Sequence, residues 1–71
     1  SMNKCRFDDE GDLCITWGGY EYWINKERLD TPFKLLGWVR HLCEKRWMDN
    51  EKIEFLIEIV AQKNGWDVHG N

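Results

Sequence analysis

The pair Gly18-Gly19 constrains this chain more than any other feature. It stands between Leu13-Cys14-Ile15-Thr16-Trp17 and Tyr20-Glu21-Tyr22-Trp23-Ile24, two runs rich in β-branched and aromatic residues. A two-residue loop that accepts positive φ is the connection that matches the twist of paired antiparallel strands. With the two glycines as the whole loop, Trp17 pairs with Tyr20, Ile15 with Tyr22 and Leu13 with Ile24. Side chains alternate along a strand, so these six share one wholly apolar face. The other face carries Asp12 with Asn25, Cys14 with Trp23 and Thr16 with Glu21. A slip of one residue would exchange the faces and bury Glu21, so the register is strongly specified.

Upstream, Lys4-Cys5-Arg6-Phe7-Asp8 alternates in the same way, and Asp8-Asp9-Glu10-Gly11 has the Asp and Gly of a type I turn. A three-residue loop between Asp8 and Asp12 sets Phe7 opposite Leu13 and Cys5 opposite Ile15 on the apolar face. Arg6 and Lys4 then lie beside Cys14, Trp23 and Thr16. A two-residue turn at Glu10-Gly11 would instead carry Phe7 to the Trp23 face, and both registers stay open. The expected strands cover residues 4–8, 12–17 and 20–25.

Asp30-Thr31-Pro32 supplies a capping residue and then a proline where its missing N–H has no helical partner to lose. A helix over 32–47 places Leu35, Leu36, Val39, Leu42, Cys43 and Trp47 on one side, with Phe33 and Trp38 at its edges. Met48-Asp49-Asn50 breaks the period, and Asp49 or Asn50 caps a second helix over 50–64 whose early Glu51 and Glu54 suit the positive helix end. Ile53, Leu56, Ile57 and Val60 form its stripe. Phe55 and Ile59 widen the apolar arc to roughly 240°, leaving Glu51, Glu54, Glu58 and Gln62 as the polar strip. Asn64-Gly65 has the form of a left-handed cap with Trp66 packing back on the last turn, and the residues beyond it show no periodic pattern. The expected architecture is α+β: a three-stranded antiparallel meander packed on a C-terminal helical hairpin, β-β-β-α-α, in one domain over residues 1–71.

Seventy-one residues allow one core, and a chain of this size buries only about 60% of its unfolded surface. A deep, walled cleft is therefore not expected, which weighs against an enzyme. No catalytic constellation emerges either. A nucleophile needs a base within hydrogen-bond reach, yet His41 and Cys43 lie two apart on a helix, about 200° round its axis, and His69 falls in the tail. Cys5, Cys14 and Cys43 contain no C-x-x-C pair of zinc-site spacing, and their odd number and opposed faces point to reduced thiols. No cofactor and no metal are expected. The chain has no apolar run of about 18 residues to span a membrane and no secretory or lipidation signal, so the cytoplasm is the expected compartment.

Charge weighs against nucleic acid as the main partner: a net charge of −3 is the wrong sign for a surface that holds phosphates throughout. A local exception is the row Lys34, Trp38, His41 and Lys45 on the first helix, where an indole among cations could stack on a base. The acidic tip Asp8, Asp9, Glu10 and Asp12 lacks the twelve-residue loop of a calcium site. It is either a solvated turn or a docking patch for a basic partner.

Trp23 is the more telling residue, since it stands with Cys14 and Arg6 on the outer sheet face, where so short a chain has nothing left to cover it. Either a second molecule covers it, or Arg6 stacks on it as a cation–π pair. Phe55 and Ile59 add a second surplus patch on the second helix. Two uncovered apolar surfaces mark interaction sites. The expectation is a non-enzymatic protein-protein interaction protein that uses Trp23, Arg6, Cys14, Phe55 and Ile59 to bind itself, as a dimer, or a host protein.

The segment Leu29-Asp30-Thr31-Pro32, then Leu35-Leu36 and Trp38, then His41-Leu42, Glu44-Lys45 and Trp47, followed by Phe55-Leu56-Ile57, resembles small uncharacterised proteins encoded by phages and prophages. The resemblance spans about half of the chain and leaves the amino-terminal meander uncovered. It implies a bacterial cytoplasmic setting and an accessory role in which the protein binds and blocks host machinery, such as a defence or regulatory complex. It assigns no catalytic residue.

Overall fold

Gly18 and Gly19 take φ of +62° and +82°, the paired left-handed conformations of a two-residue hairpin loop. This comes from the computed structural model, which describes residues 4–70; residues 1–3 and 71, the ends of the expected domain, lie outside the described residues. Three strands, β1 (Lys4–Phe7), β2 (Leu13–Trp17) and β3 (Tyr20–Ile24), are followed by helices α1 (Pro32–Cys43) and α2 (Asn50–Asn64). The sheet is antiparallel in the order β1-β2-β3, giving the α+β order β-β-β-α-α. The β2–β3 register pairs Leu13 with Ile24, Ile15 with Tyr22 and Trp17 with Tyr20, as the glycine loop requires.

The first turn decides between the two registers open for β1. Gly11 takes φ +87°, its N–H donates to the Asp8 carbonyl at 3.0 Å, and the Asp8 N–H donates to the Asp12 carbonyl at 2.8 Å. The loop therefore has three residues, and Cys5 faces Ile15 while Phe7 faces Leu13. The Asp8 carboxylate closes the same turn by accepting the N–H groups of Glu10 and Asp12, each at 2.9 Å. These donors, with the Asp12 N–H first, hold the carboxyl below its ordinary value.

Both helices start on a side-chain cap: Thr31 accepts the Lys34 N–H, and Asp49 accepts the Lys52 N–H. At the far end of α2, Gly65 is left-handed at φ +76° and the Trp66 N–H reaches back to the Ala61 carbonyl at 2.9 Å. That bond satisfies a carbonyl the helix itself leaves free. Beyond it, Val68 and His69 lie alongside Ile53, Ile57 and Glu58 of α2.

The core gathers Leu13, Ile15 and Trp17 of β2 with Ile24, Leu29, Leu35, Leu42, Leu56 and Val60. Burying each such side chain stabilises the fold by about 1.5–3 kcal/mol before the entropy of ordering. Leu29 enters through a single 3-10 turn at Lys26–Arg28, and the Asn64 amide ties it to α2 by donating to the Leu29 and Val60 carbonyls at 3.1 and 2.9 Å.

Two features of α1 depart from the sequence expectation. The helix ends at Cys43 rather than near residue 47, and Lys45 and Met48 are held by turn bonds to Leu42 and Lys45. Leaving the helix early lets Trp47 drop onto the hairpin, where it meets Trp17 edge-on, stacks on Tyr20 and tilts against Tyr22. The ring lies so close over Gly18 that a Cβ there would come within 2.3 Å of it. The helix is also rotated: Leu35, Val39 and Leu42 face inward, while Leu36 (60% exposed), Phe33 (84% exposed) and Cys43 face outward. A three-stranded sheet covers only a narrow stripe of a helix, so just one of the two overlapping apolar stripes is buried.

Candidate interaction surface

The core lies wholly on one side of the sheet, and the strand register sets the other side as two transverse rows. One row runs Lys4, Thr16, Glu21 and the next Arg6, Cys14, Trp23. Lys4, Arg6, Glu21 and Trp23 are exposed, and Thr16 and Cys14 on the central strand are half-buried by these neighbours. The β1 edge of this face is cationic, and the β3 edge carries a carboxylate and an indole.

Trp23 is 65% exposed. Its Nε1–H points to Asp8 Oδ2 at 3.5 Å, and the Cys14 thiol approaches the same oxygen at 3.9 Å. Both contacts are long and weak, yet they give the indole a direction: it leans from β3 across β2, with its outward surface open. Cys14 stands between Arg6 and Trp23, so those two Cα positions are about 9.6 Å apart, twice the strand spacing. Among the described residues the cations lying over aromatic rings are Arg28 over Trp38 at 5.3 Å and Lys63 over Phe7 at 5.4 Å. Of the two covers considered for Trp23, stacking by its own Arg6 is not the one adopted.

The Cys14 thiol is pushed up, first by desolvation and then by the negative charge of Asp8. It stays protonated as a donor and makes a poor nucleophile. Cys5, buried against the core, is pushed up to about 12 by burial and by Cys14. Among the described residues the three cysteines are free, and no three His, Cys, Asp or Glu side chains gather as a metal site needs. No helix is long and apolar enough to cross a membrane.

Phe55 is 49% exposed and borders an open depression shared with Lys4, Arg6, Trp17, Glu51 and Lys52. Arg6 thus borders the Phe55 depression as well as standing in the Trp23 row. Ile59 packs against the core instead and adds less exposed area than its wheel position suggests.

The basic row on α1 is only partly assembled. Lys34, Trp38 and His41 line one open cleft of about 550 Å³ with Glu27, Arg28 and Gly37, and His41 stands edge-on to Trp38 at 5.8 Å. Lys45 lies beyond the end of α1 and does not join them. Lys34 is engaged by Asp30 at 2.7 Å and by the Glu27 carbonyl at 2.8 Å, so much of its charge is answered within the chain. Arg28 completes this cleft and was missed, because a residue in an isolated 3-10 turn has no period to reveal its neighbours. The outward pair Phe33 and Leu36 was also missed, although it forms a helical stripe with Arg40 and Cys43 that the spacing contains. Comparison with protein-family models, with curated proteins and with solved structures finds no match to this chain.

Proposed function

We propose that this chain is a non-enzymatic protein-protein interaction protein whose working surface is the uncovered sheet face around Trp23, Arg6 and Cys14, with Phe55 at its margin. The observation that carries the reading is Trp23: a large aromatic side chain directed toward Asp8, mostly uncovered by its own chain, with Arg6 in the same row beyond Cys14. Trp and Arg are the residue types that dominate interface energies when a partner desolvates them. In its most specific form, resting on the phage-like segment from Leu29 to Ile57, the protein acts in the bacterial cytoplasm by blocking a host defence or regulatory complex.

The test is capture from bacterial lysate on immobilised wild type and Trp23→Ala side by side, with thermal melting of both. Species retained by wild type are expected to be lost on Trp23→Ala, a cost of about 2 kcal/mol or more in binding, while the melting temperature holds. An identical retained set, or a variant that unfolds, would remove the reading.

The meeting of Lys34, Trp38 and His41 with Arg28 in one cleft favours a second reading, a nucleic-acid-binding module. Titration with single-stranded and duplex DNA checks it, because phosphate contacts must weaken steeply with salt. Binding that ignores salt, or none, eliminates it.

A further inference from the structure

The outer sheet face is complementary to itself, and we infer that it receives a second copy of this chain, stacked face to face about a two-fold axis parallel to β2. The inference rests on the reading of this face as the working surface and names its occupant. Strand order and register supply the pattern: Lys4 and Arg6 on one edge, Thr16 and Cys14 along the middle, Glu21 and Trp23 on the other edge. Rotation about an axis running along β2 lays β1 of one copy over β3 of the other and keeps every residue at its level along the strands. Each Lys4 then meets the partner's Glu21, and each Arg6 meets the outward surface of the partner's Trp23. Both contacts form twice, as a closed two-fold interface requires.

Charge selects this axis over the other one. A two-fold axis in the same plane but across the strands, through the Arg6-Cys14-Trp23 row, would set Arg6 against Arg6 and leave each Trp23 without a cation. Stacked sheets lie about 10 Å apart and cross at about 30°, and Lys and Arg side chains are long enough to span that offset. Two like-charge approaches remain: Asp8, whose carboxylate sits beside Cys14 near the axis but already accepts the N–H groups of Glu10 and Asp12, and Asp12. The latter lies at the end of the face, and its carboxylate is already committed to the Lys26 N–H at 3.0 Å. The plan area of three short strands, roughly 250 Å² at the usual spacings, falls below the ~800 Å² per partner of a standard interface. The dimer is therefore weak and concentration-dependent.

Sedimentation velocity from about 10 μM to about 1 mM, a range suited to weak association, tests it on the whole chain. Wild type is expected to shift from monomer to dimer across that range. Lys4→Glu and Glu21→Lys each place like charges at both corners, and each should raise the midpoint at least about tenfold. An equimolar mixture of the two variants restores an opposite pair at both corners and should recover the wild-type midpoint. Both positions are exposed surface, and circular dichroism confirms that the variants fold. A wild type that stays monomeric, or a dimer indifferent to both reversals, or a mixture that fails to recover, overturns the inference. If the chain is monomeric yet Trp23→Ala still abolishes capture of another protein, the self-association falls and the wider reading of the face stands.

Discussion

The two faces of one three-stranded sheet share fourteen strand residues by alternation and meet opposite fates. On the inner face Trp17 is 3% exposed among Trp47, Ile15 and the helices, whereas on the outer face Trp23 is 65% exposed. Both are tryptophans in five-residue strands joined by one glycine turn, so neither propensity nor residue type separates them. What separates them is the supply of covering elements: two helices suffice for one side of the sheet and none remains for the other. Burial makes the inner indole a stabiliser of the fold, while the outer one leaves most of its apolar area uncovered by its own chain.

The sharpest way to break this contrast is Trp17→Ala, which should cost about 3–5 kcal/mol, as removal of a buried aromatic does, read as a fall in the denaturant midpoint. Next comes the loop that joins β2 to β3. Gly18→Ala forces an L residue to φ +62° and drives its Cβ into the Trp47 ring, so about 3 kcal/mol is expected from strain and overpacking together. Gly19→Ala meets the same kind of φ but open space and should lose only about 1 kcal/mol. Equal losses at the two glycines would mean that Trp47 does not lie on the turn.

A smaller effect concerns the tether of the outer indole. The Asp8 carboxyl is held below its ordinary 3.8, so folding favours its ionised form. Its contribution is present above that value and is lost as pH falls through the lower value of the folded state. Asp8→Asn keeps an acceptor for the turn but removes the titration, and its stability should decline less than that of wild type on acidification below about pH 4. Parallel acid profiles of the two proteins would dissociate Asp8 from the turn.

The sheet was legible because its evidence is local. Gly18-Gly19 specifies a loop of two, period-two alternation specifies the faces, and together they place Cys14 beside Trp23 before any tertiary contact is known. The turn at Asp8 was ambiguous because either loop length keeps the alternation; hydrogen bonding by Gly11 and the Asp8 carboxylate decides it. The first helix was harder for a physical reason. Its apolar residues make two overlapping stripes, Leu35-Val39-Leu42 and Phe33-Leu36-Cys43, and the period alone does not say which one turns inward. The inward stripe is the one that packs with Leu29, buried after the 3-10 turn ahead of the helix, while Trp47 seats on the hairpin beyond the helix end. Of the candidate surface, the row Arg6-Cys14-Trp23 was legible, but that Arg6 borders the Phe55 depression and does not stack on Trp23 was not, since the register places backbones and not the ends of long side chains.

Equilibrium denaturation of Trp23→Ala beside wild type, at low micromolar concentration where self-association is negligible, addresses the central claim most directly. An indole that serves a partner rather than its own fold predicts coincident curves, within about 0.5 kcal/mol as for an exposed substitution. A loss approaching that of Trp17→Ala would instead make Trp23 part of the core and leave the outer face without its anchor.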